Sequence, residues 1–448
     1  MTTTLSKTHT EPRPLDPLVV AHEAFEKDST ASAPPWLRAL RTSGISYYAE
    51  LGFPTTDHEE WRFTNVAPIA KAAFQPVPQS TRSAITAEQL SQFTFGGMKA
   101  HRLVFVDGHF SSELSALLPH TTGPVVASLA SAIQSHGALV ELRLGRSAHH
   151  EASAFTALNT AFLQDGAFIH LPAGATLEAP VHLLFIATQP GTINQPRNLI
   201  VAEAQSQVRI IEDYVSLAGS AYFTNSVTEM FTGKGASVEH LKIQREDLTA
   251  FHIATIEAHH QRHSRVTSHS ISLGARLARN DINLRFDGEG CESILNGLYF
   301  ASGDQLVDHH TIADHAKPHC NSHEFYHGIL GGHAKGVFNG KIYVRKDAQK
   351  TNAKQTNKNL LLSEDATINT KPQLEILADD VKCTHGATVG QLDDEAIFYL
   401  RSRGIGEALA RQMLIKAFAS DVLNRITIKP VREELDRLLS DRLAQPNT

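Results

Sequence analysis

The sequence predicts a mainly β fold, in which a parallel β-helix forms the core and helical regions form both ends of the chain. From about residue 165, a short unit recurs in which Gly or another small residue precedes Ala, a variable residue and an apolar residue. The clearest copies are Gly174-Ala175-Thr176-Leu177, Gly235-Ala236-Ser237-Val238, Gly274-Ala275-Arg276-Leu277, Asp365-Ala366-Thr367-Ile368 and Gly386-Ala387-Thr388-Val389. Recurrence over so much of the chain indicates stacked structural repeats.

Each copy lies before or within a short segment of alternating side chains, such as residues 208–211 and 238–243. Such alternation is the pattern of a β-strand. One rung of a β-helix buries its inward face only when the next rung stacks on it, so an irregular repeat fits this architecture. An antiparallel sandwich also has short strands and turns, and the pattern alone leaves both open.

The N-terminal part of the chain carries a helical pattern. A run of Trp and Leu residues at helical spacing follows Pro34-Pro35, as expected for a helix that begins at proline and buries one face. The character of the chain changes near residue 100, where residues 103–106 and Asp107-Gly108 predict a strand that enters a turn. We therefore predict an N-terminal helical region over residues 1–98 and a β-helix core over residues 99–390.

A C-terminal helical region is predicted over residues 391–448. Asp393 and Asp394 are suited to cap a helix that Gly404 ends, and residues 431–443 have the pattern of a last helix. Apolar residues at helical spacing predict another helix between these two. This tail is a candidate docking surface for a partner, and packing of the helices on their own solenoid is the alternative.

Charge and cysteine content argue against several classes of protein. Lys and Arg number 41 against 47 Asp and Glu, a formal net charge of -6, and no block of like charge marks a nucleic-acid surface. The three cysteines, Cys291, Cys320 and Cys383, do not form the pattern of a disulfide framework, which favours a reducing cytosol. With no secretory signal and no membrane-spanning stretch, we expect a cytoplasmic protein without nucleic-acid or membrane partners.

The segment His323-Glu324-Phe325-Tyr326-His327 matches the H-E-x-x-H motif of zinc hydrolases. That chemistry requires a helix, on which both imidazoles reach one zinc ion and the glutamate activates its water. Here the segment follows Pro318 and runs into a glycine-rich stretch, which leaves little room for a helix. On a strand, His319, His323 and His327 would instead share one face.

Further histidines surround this segment and could hold a divalent metal ion if they converge. The candidates are His309, His310, His315 and His333, with Asp308 or Asp314 nearby. Solvated or structurally hydrogen-bonded histidines are the more common alternative.

Two other segments bear on cofactors. Residues 336–342 resemble a phosphate loop superficially, but too few residues separate the glycines and no Ser or Thr follows Lys341. Any ATP must therefore be hydrolysed by another subunit. Cys383 and His385 lie two residues apart, so on a strand both face the same way and can approach one soft metal ion or sulfur species. The pair either contributes to a site that another chain completes, or is a buried thiol beside a structural histidine.

Several longer segments resemble the SufB/SufD family of iron-sulfur cluster assembly proteins. In the C-terminal third they are residues 336–342, 355–363, 369–376, 379–390 and 398–405. Near the other end, Leu51-Gly52-Phe53-Pro54-Thr55 and Glu59-Glu60-Trp61-Arg62-Phe63-Thr64-Asn65 resemble the N-terminal signature of the family. The resemblance covers nearly the whole chain after about residue 35.

The resemblance implies a right-handed parallel β-helix between helical ends, and it implies a set of partners. A D-type chain pairs with a SufB-like paralogue, and each of the two binds a copy of the SufC ABC-type ATPase through its C-terminal helices. Sulfur for the nascent cluster comes from a cysteine desulfurase system. The chain is then expected to be a non-catalytic scaffold without a tightly bound cofactor, which holds at most a transient iron-sulfur cluster or iron, while SufC hydrolyses ATP.

The resemblance also assigns candidate site residues. SufB-type chains carry a sulfur-accepting cysteine where this chain has Asn357, so the chain resembles the D type. His385 matches a family histidine at the interface between the two paralogues that is proposed to help hold the nascent cluster or its iron. Cys383 lies beside it. We therefore predict His385 and Cys383 as transient cluster or iron ligands and expect no catalytic residue.

Two enzyme classes compete with this hypothesis. β-Helices also carry polysaccharide lyases and hydrolases, whose grooves are lined with carboxylates and basic residues. Such enzymes are usually exported, and the absence of a signal sequence argues against this class. The zinc hydrolase suggested by the H-E-x-x-H match ranks behind the assembly scaffold and behind the polysaccharide-active enzyme.

Overall fold

The computed structural model of the protein describes residues 16–29, 33–77, 85–119 and 123–444. Most of the polar start of the chain, which supports the expectation of no secretory signal, lies outside these ranges. The described helices are α1 (Pro17–Ser29), α2 (Pro35–Leu51), α3 (Ala67–Ala72), α4 (Ala87–Ser91), α5 (Leu129–Ser135), α6 (Gly137–Arg143), α7 (Ala154–Ala161), α8 (Asp394–Ser402), α9 (Glu407–Leu423) and α10 (Lys429–Leu443), with a 3-10 turn at Glu59–Trp61. Within the described ranges, none of the helices is long and apolar enough to cross a membrane.

Strands occupy most of the chain between α7 and α8. The strands are β1 (Gln75–Pro76), β2 (His101–Val106), β3 (His109–Ala116), β4 (Val125–Ser128), β5 (Ala167–Leu171), β6 (Val181–Ala187), β7 (Thr192–Asn194), β8 (Arg197–Ala202), β9 (Gln207–Ser216), β10 (Phe223–Thr232), β11 (Ser237–Arg245), β12 (Phe251–His260), β13 (Arg265–Ser272), β14 (Leu277–Phe286), β15 (Glu292–Ala301), β16 (Leu306–His315), β17 (Asn321–Leu330), β18 (Lys335–Val344), β19 (Asn352–Leu361), β20 (Thr367–Ile376) and β21 (Lys382–Gly390).

These strands form two sheets whose strands alternate along the chain, which is the topology of a β-solenoid. Sheet A runs from β4 through β5, β8 and the even-numbered strands to β20, and sheet B runs from β3 through β2, β6 and the odd-numbered strands to β21. From β8 onward, the neighbouring strands on these two paths are parallel. The predicted parallel β-helix is confirmed, and the antiparallel sandwich is wrong.

The repeat units that predicted the solenoid mark its corners. Four of the five copies lie at a turn that leads into a strand, where small residues allow the chain to bend sharply between sheets. The last copy, Gly386-Ala387-Thr388-Val389, instead lies within strand β21. The predicted strand over residues 103–106 is part of β2, and Asp107 and Gly108 make the following turn with positive φ angles of 49° and 82°.

At the N-terminal end, the sheets finish in antiparallel strands, because β3 pairs with β2 and β4 pairs with β5 in that orientation. Helix α2 begins at Pro35 as predicted and packs against α7. Gly44 permits this approach, since a Cβ there would overlap the backbone of Ala161. Helices α5 to α7 lie between β4 and β5, in a stretch for which the sequence predicted no helix.

The C-terminal region forms the three predicted helices. Asp393 caps α8 by accepting a hydrogen bond from the Glu395 amide, and Gly404 follows the helix with a φ angle of 87°. Helices α9 and α10 bury an apolar face against the outer face of sheet B, where Ile415 and Leu435 belong to the same apolar cluster as Ile243, Ile271 and Leu298. Of the two alternatives for the C-terminal region, helices α9 and α10 therefore follow the second, because they pack on the chain's own solenoid.

A buried ion pair fixes the loop after α6 on the outer face of sheet A. The Glu229 carboxylate accepts hydrogen bonds from Arg197 (Nη2 to Oε1, 2.7 Å) and from the amides of Gly145 and Ser147 at 2.8 and 3.0 Å. Both charged side chains are fully buried. Burial opposes ionisation, but Arg197 and the backbone donors outweigh it and lower the pKa of Glu229.

We expect Glu229→Gln to destabilise the protein by about 3–5 kcal/mol, because it leaves the Arg197 charge buried without a partner. Glu292→Gln is the matched control, since Glu292 is half exposed in its ion pair with Arg265, and it should cost less than about 1 kcal/mol. Urea denaturation followed by circular dichroism measures both. Equal losses in the two variants would contradict the role given to Glu229.

Candidate functional site

The solenoid finishes at its C-terminal end in two strands that have a neighbour on one side only. Strand β20 is the outermost strand of sheet A and β21 the outermost strand of sheet B, and within the described residues no further strand pairs with either. Most residues of β21 are exposed and no residue of β20 is fully buried, whereas half of the residues of β19 are buried. We call this the open end. It presents unpaired backbone donors and acceptors, which proteins usually cover or pair.

Cys383 and His385 both lie on β21 and share its inward face. Cys383 is paired with the buried Ala353 and packs against the interior apolar cluster, and residues two apart on a strand point to the same face. Burial raises the pKa of the Cys383 thiol. His385 is exposed because no rung follows it. The predicted common orientation of the two side chains is confirmed.

In the two rungs before His385, buried polar side chains occupy the position equivalent to His385. His385 is paired with Gln355 on β19, and Gln355 is paired with Glu324 on β17. Gln355 and Glu324 are only 1% and 2% exposed. The Gln355 amide donates a hydrogen bond from Nε2 to Oε2 of Glu324 at 3.0 Å, and the hydroxyl of Thr311 donates to the same oxygen at 2.7 Å.

This buried pair retains hydrogen-bonding capacity. Among the described residues, Oε1 of Gln355 and Oε1 of Glu324 have no hydrogen-bond partner. Burial raises the pKa of Glu324 to about 6, although the hydrogen bonds from Thr311 and Gln355 oppose this shift. Glu324 is therefore mostly ionised at neutral pH.

Asn357 lies in the interior of the solenoid, two residues beyond Gln355 on β19. It is 1% exposed, and its side-chain oxygen accepts a hydrogen bond from the Asn359 amide at 2.6 Å. The hydroxyl of Tyr299 donates to Asn359 at 2.5 Å. The side chain at this position is thus held in an interior polar network next to the open end.

Comparison with known proteins identifies the family of the chain. Residues 185–418 match the family described as the SufBD core domain of the SUF system for FeS cluster assembly, and residues 21–183 match the SufBD N-terminal region. This chain belongs to the SufBD family. Together the two matches cover nearly all of the described structure, so the chain is an iron-sulfur cluster assembly protein of that family.

Similar SufBD proteins come from several bacteria. An iron-sulfur cluster assembly SufBD family protein of Synechocystis is 34% identical over 412 residues, which are 90% of either chain. The assembly protein SufD of Escherichia coli is 30% identical over 430 residues, covering 94% of this chain and 96% of that one. The SufD protein of Bacillus subtilis is 28% identical over 416 residues, covering 90% and 93%. The resemblance found in the sequence is confirmed.

The H-E-x-x-H segment is part of strand β17 and not of a helix. Glu324 points into the solenoid, whereas His327 lies on the outer face of sheet B and is covered by helix α9. Its Nδ1 lies 2.9 Å from the carbonyl oxygen of Phe418, and the two rings stack at 4.3 Å. Because Glu324 and His327 lie on opposite faces of the sheet, the zinc hydrolase hypothesis is wrong. His319 lies in the turn before the strand, so it does not extend the histidine face.

The wider set of histidines does not converge either. His309 and His315 point into the solenoid, where His315 stacks on Phe286 at 4.3 Å, while His310 lies on the outer face of sheet A. His333 is in an exposed turn. In the ranges that the structure describes, no group of three or more His, Cys, Asp or Glu side chains is arranged to hold a metal ion.

The segment resembling a phosphate loop is strand β18, so it cannot wrap a phosphate group. Gly340 lies on the inward face of this strand. A Cβ at Gly340 would overlap the amide group of Gln355. Gly340 therefore leaves space for the side chain of Gln355, which is paired with His385 in sheet B.

The N-terminal signature of the SufBD family binds the outer face of sheet A. The guanidinium of Arg279 lies 3.7 Å from the Trp61 ring centroid and donates to the Glu60 carbonyl oxygen at 2.6 Å. The Thr64 hydroxyl donates to Asp308 at 2.6 Å. His310 lies between Asp308 and Glu60, with nitrogen-oxygen distances of 3.0 and 3.3 Å. The signature thus anchors the N-terminal region to the solenoid.

The buried ion pair of His310 and Asp308 shifts both pKa values. Burial alone would lower the pKa of His310, but Asp308 outweighs it and raises this pKa to about 9. Burial also opposes ionisation of Asp308, yet His310 and Arg279 lower its pKa to about 2. The imidazole is consequently protonated at neutral pH and part of the anchor.

Sequence inspection alone did not find Glu324 and Gln355 as neighbours of the site. The available signal was the repeat itself, because counting residues from one rung to the next places residues 324, 355 and 385 at equivalent positions. Glu324 instead attracted notice as part of a false zinc motif.

We expect His310→Gln to lower the free energy of unfolding by on the order of 3 kcal/mol at pH 6 and by much less at pH 10. The folded-state pKa of about 9 lies above the unfolded value of ~6.5, so the contribution is complete below pH ~6.5 and is lost as pH rises through about 9. Denaturation across this pH range measures it, with the exposed His333→Gln as control. A loss that does not change with pH would contradict the assignment.

Proposed function

We propose that this chain is a scaffold subunit that assembles iron-sulfur clusters together with a related SufB-type chain, and that the cluster forms where the open ends of two solenoids meet. The observation that carries this proposal is that Cys383 and His385 face inward on the last, uncovered strand of the solenoid. A SufBD protein with this end exposed is suited to receive a second solenoid.

The open end has the properties of a surface that pairs with another chain. Strands β20 and β21 offer unpaired backbone groups to an added strand, and side chains on alternate positions give specificity. Apolar side chains surround them, since Ile376, Leu377 and Val389 are 38%, 53% and 49% exposed. A related chain of the same architecture supplies matching strand edges, which favours a heterodimer of paralogues.

The chemistry of the two inward side chains supports a transient ligand role. A thiolate and a neutral imidazole are ligands that iron and soft metals accept, and a nascent cluster is the cargo here. Cys383 and His385 supply at most two ligands, so the partner chain provides the rest. This chain performs no bond-breaking step in the proposal and is non-catalytic.

The C-terminal helices offer a second docking surface, for a SufC-type ATPase. Helices α9 and α10 cover their own solenoid, but α8 exposes Phe398 and Tyr399, and the outer side of α9 exposes Leu409 and Met413. Exposed apolar groups of this size commonly mark protein interfaces. ATP is hydrolysed by the partner in this proposal, and its hydrolysis changes the contact between the paired open ends.

Sulfur for the cluster comes from a cysteine desulfurase system, and the assembly works in the cytoplasm. The three cysteines are free thiols in the structure, as expected in a reducing compartment. The proposal assigns this chain no tightly bound cofactor and no nucleic-acid or membrane partner.

We expect His385→Ala to fold and to form the complex normally, and to lower the iron and sulfide bound by the purified complex at least about tenfold. His385 is exposed at the open end, so its loss removes a ligand without leaving a cavity. The matched control is His333→Ala, which removes another exposed histidine at a turn. Full cluster content in the His385→Ala complex would contradict the ligand role.

We expect the double variant Phe398→Ser with Met413→Glu to lose the ATPase from the purified complex while the SufB-type chain is retained. Both side chains are exposed, so the variant should unfold at the same temperature as the wild type. Leu142→Ser is the control, because Leu142 is 61% exposed on α6. Retention of the ATPase by the double variant would contradict the placement of its docking surface.

A further inference from the structure

The position equivalent to His385 carries a mixture of apolar and polar side chains through the solenoid. In the strands of sheet B from β9 to β19, the residues in register with His385 are Ile210, His240, Ser268, Leu295, Glu324 and Gln355. The last two are polar, buried and joined by a hydrogen bond, directly below the only exposed member. Two buried polar groups at the end of a solenoid need a reason, because burial of polar groups is costly unless they are satisfied.

We propose that Gln355 is the positioning residue of His385: its amide oxygen accepts a hydrogen bond from one ring nitrogen of His385 and leaves the other nitrogen free to bind iron or cluster. Adjacent strands in a sheet lie about 4.8 Å apart, so side chains in register are within hydrogen-bonding reach. Among the described residues, Oε1 of Gln355 has no hydrogen-bond partner, His385 included, so this buried acceptor becomes satisfied when the exposed His385 ring turns toward it. This inference rests on the proposed function of His385 and concerns how the chain prepares that residue.

Glu324 fixes which end of the Gln355 amide faces the histidine. An ionised carboxylate only accepts hydrogen bonds, so the amide must turn its Nε2 toward Glu324 and its Oε1 away from it. The observed Nε2 to Oε2 distance of 3.0 Å agrees with this orientation. A histidine that binds a metal usually donates its other ring N–H to such an acceptor, which fixes its tautomer and its direction.

Gly340 completes the arrangement from the opposite sheet. Its missing side chain is the space that the Gln355 amide occupies, and a Cβ there would displace the amide. Gly340→Ala therefore disturbs the Gln355 amide without changing any polar group and without touching β21. Gly390→Ala is a matched control, because nothing lies within 4 Å of a Cβ added at the end of β21.

The test is the ring N–H proton of His385, observed by nuclear magnetic resonance in the full chain labelled with 15N-histidine, at a pH where the imidazole is neutral. We expect a His385 N–H that exchanges slowly with water in the wild type and in Gly390→Ala. In Gln355→Leu and Gly340→Ala, exchange should be about tenfold faster, which corresponds to the loss of a hydrogen bond worth about 1.4 kcal/mol. Glu324→Gln should also increase the exchange rate, because the amide is then free to turn.

A wild-type His385 N–H that exchanges as fast as that of the exposed His333 would overturn the inference, as would unchanged exchange in both Gln355→Leu and Gly340→Ala. If Gln355→Leu does not fold, Gly340→Ala and Glu324→Gln carry the test. The exchange result does not depend on the proposed function of His385. Protected exchange together with full cluster content in the His385→Ala complex would retain the hydrogen bond and reject the ligand role.

Discussion

The structure depends on one constraint, which is that each rung of the solenoid stacks on the preceding rung in register. From β9 to β21, each strand of sheet B pairs residue by residue with the next, and the corresponding holds for β10 to β20 in sheet A. A side chain therefore has nearly the same surroundings as its counterpart one rung earlier. The last rung is the exception, because its counterpart on the next rung is missing. A candidate binding site at that rung follows from the repeat itself.

Register also explains the polar interior of this solenoid. Lys242, 1% exposed, lies inside β11, and Nζ of Lys242 is 2.7 Å from Nε2 of His252. Burial lowers the pKa of Lys242 to about 8, against the opposing effect of Glu212 and Glu246. Buried charges of this kind are tolerated when they are paired and hydrogen-bonded; Glu246 lies 2.7 Å from Nδ1 of His252 and accepts a hydrogen bond from the Thr224 hydroxyl at 2.7 Å. Polar positions continue along the interior to Glu324 and Gln355, so the side chains below the open end belong to an interior that is polar over many rungs.

Local signals in the sequence predicted the short strands, their corners and the terminal helices, whereas the choice of a parallel β-helix over an antiparallel sandwich needed the family resemblance. Small residues at the corners, alternation along strands and caps such as Asp393 each act within a few residues. The orientation shared by Cys383 and His385 followed from the same period of two. Contacts between distant segments could not be obtained in this way. The anchoring of Trp61 on Arg279 joins residues more than 200 positions apart, and no local pattern encodes it.

The false zinc motif shows that a local sequence pattern can also indicate a site that the fold does not form. Residues 323–327 match a helical motif letter for letter, and only the strand geometry separates Glu324 from His327. Helices α5 to α7 were missed although Ser128 and Ser153 cap α5 and α7, because helices of seven or eight residues are too short to show a clear helical period. The buried role of Gln355 required the register between rungs, which becomes visible only when the corners of the solenoid are placed.

The central claim is that the open end is the surface that meets a partner chain. Hydrogen exchange of the backbone amides measures this directly, by comparing the chain alone with the complex that contains the SufB-type chain. Those amides of residues 382–390 that point away from β19 should exchange rapidly in the chain alone and be strongly protected in the complex, while β11 and β13 should be protected in both. Unchanged exchange of residues 382–390 in a stable complex would contradict the account and place the partner on another face of the solenoid.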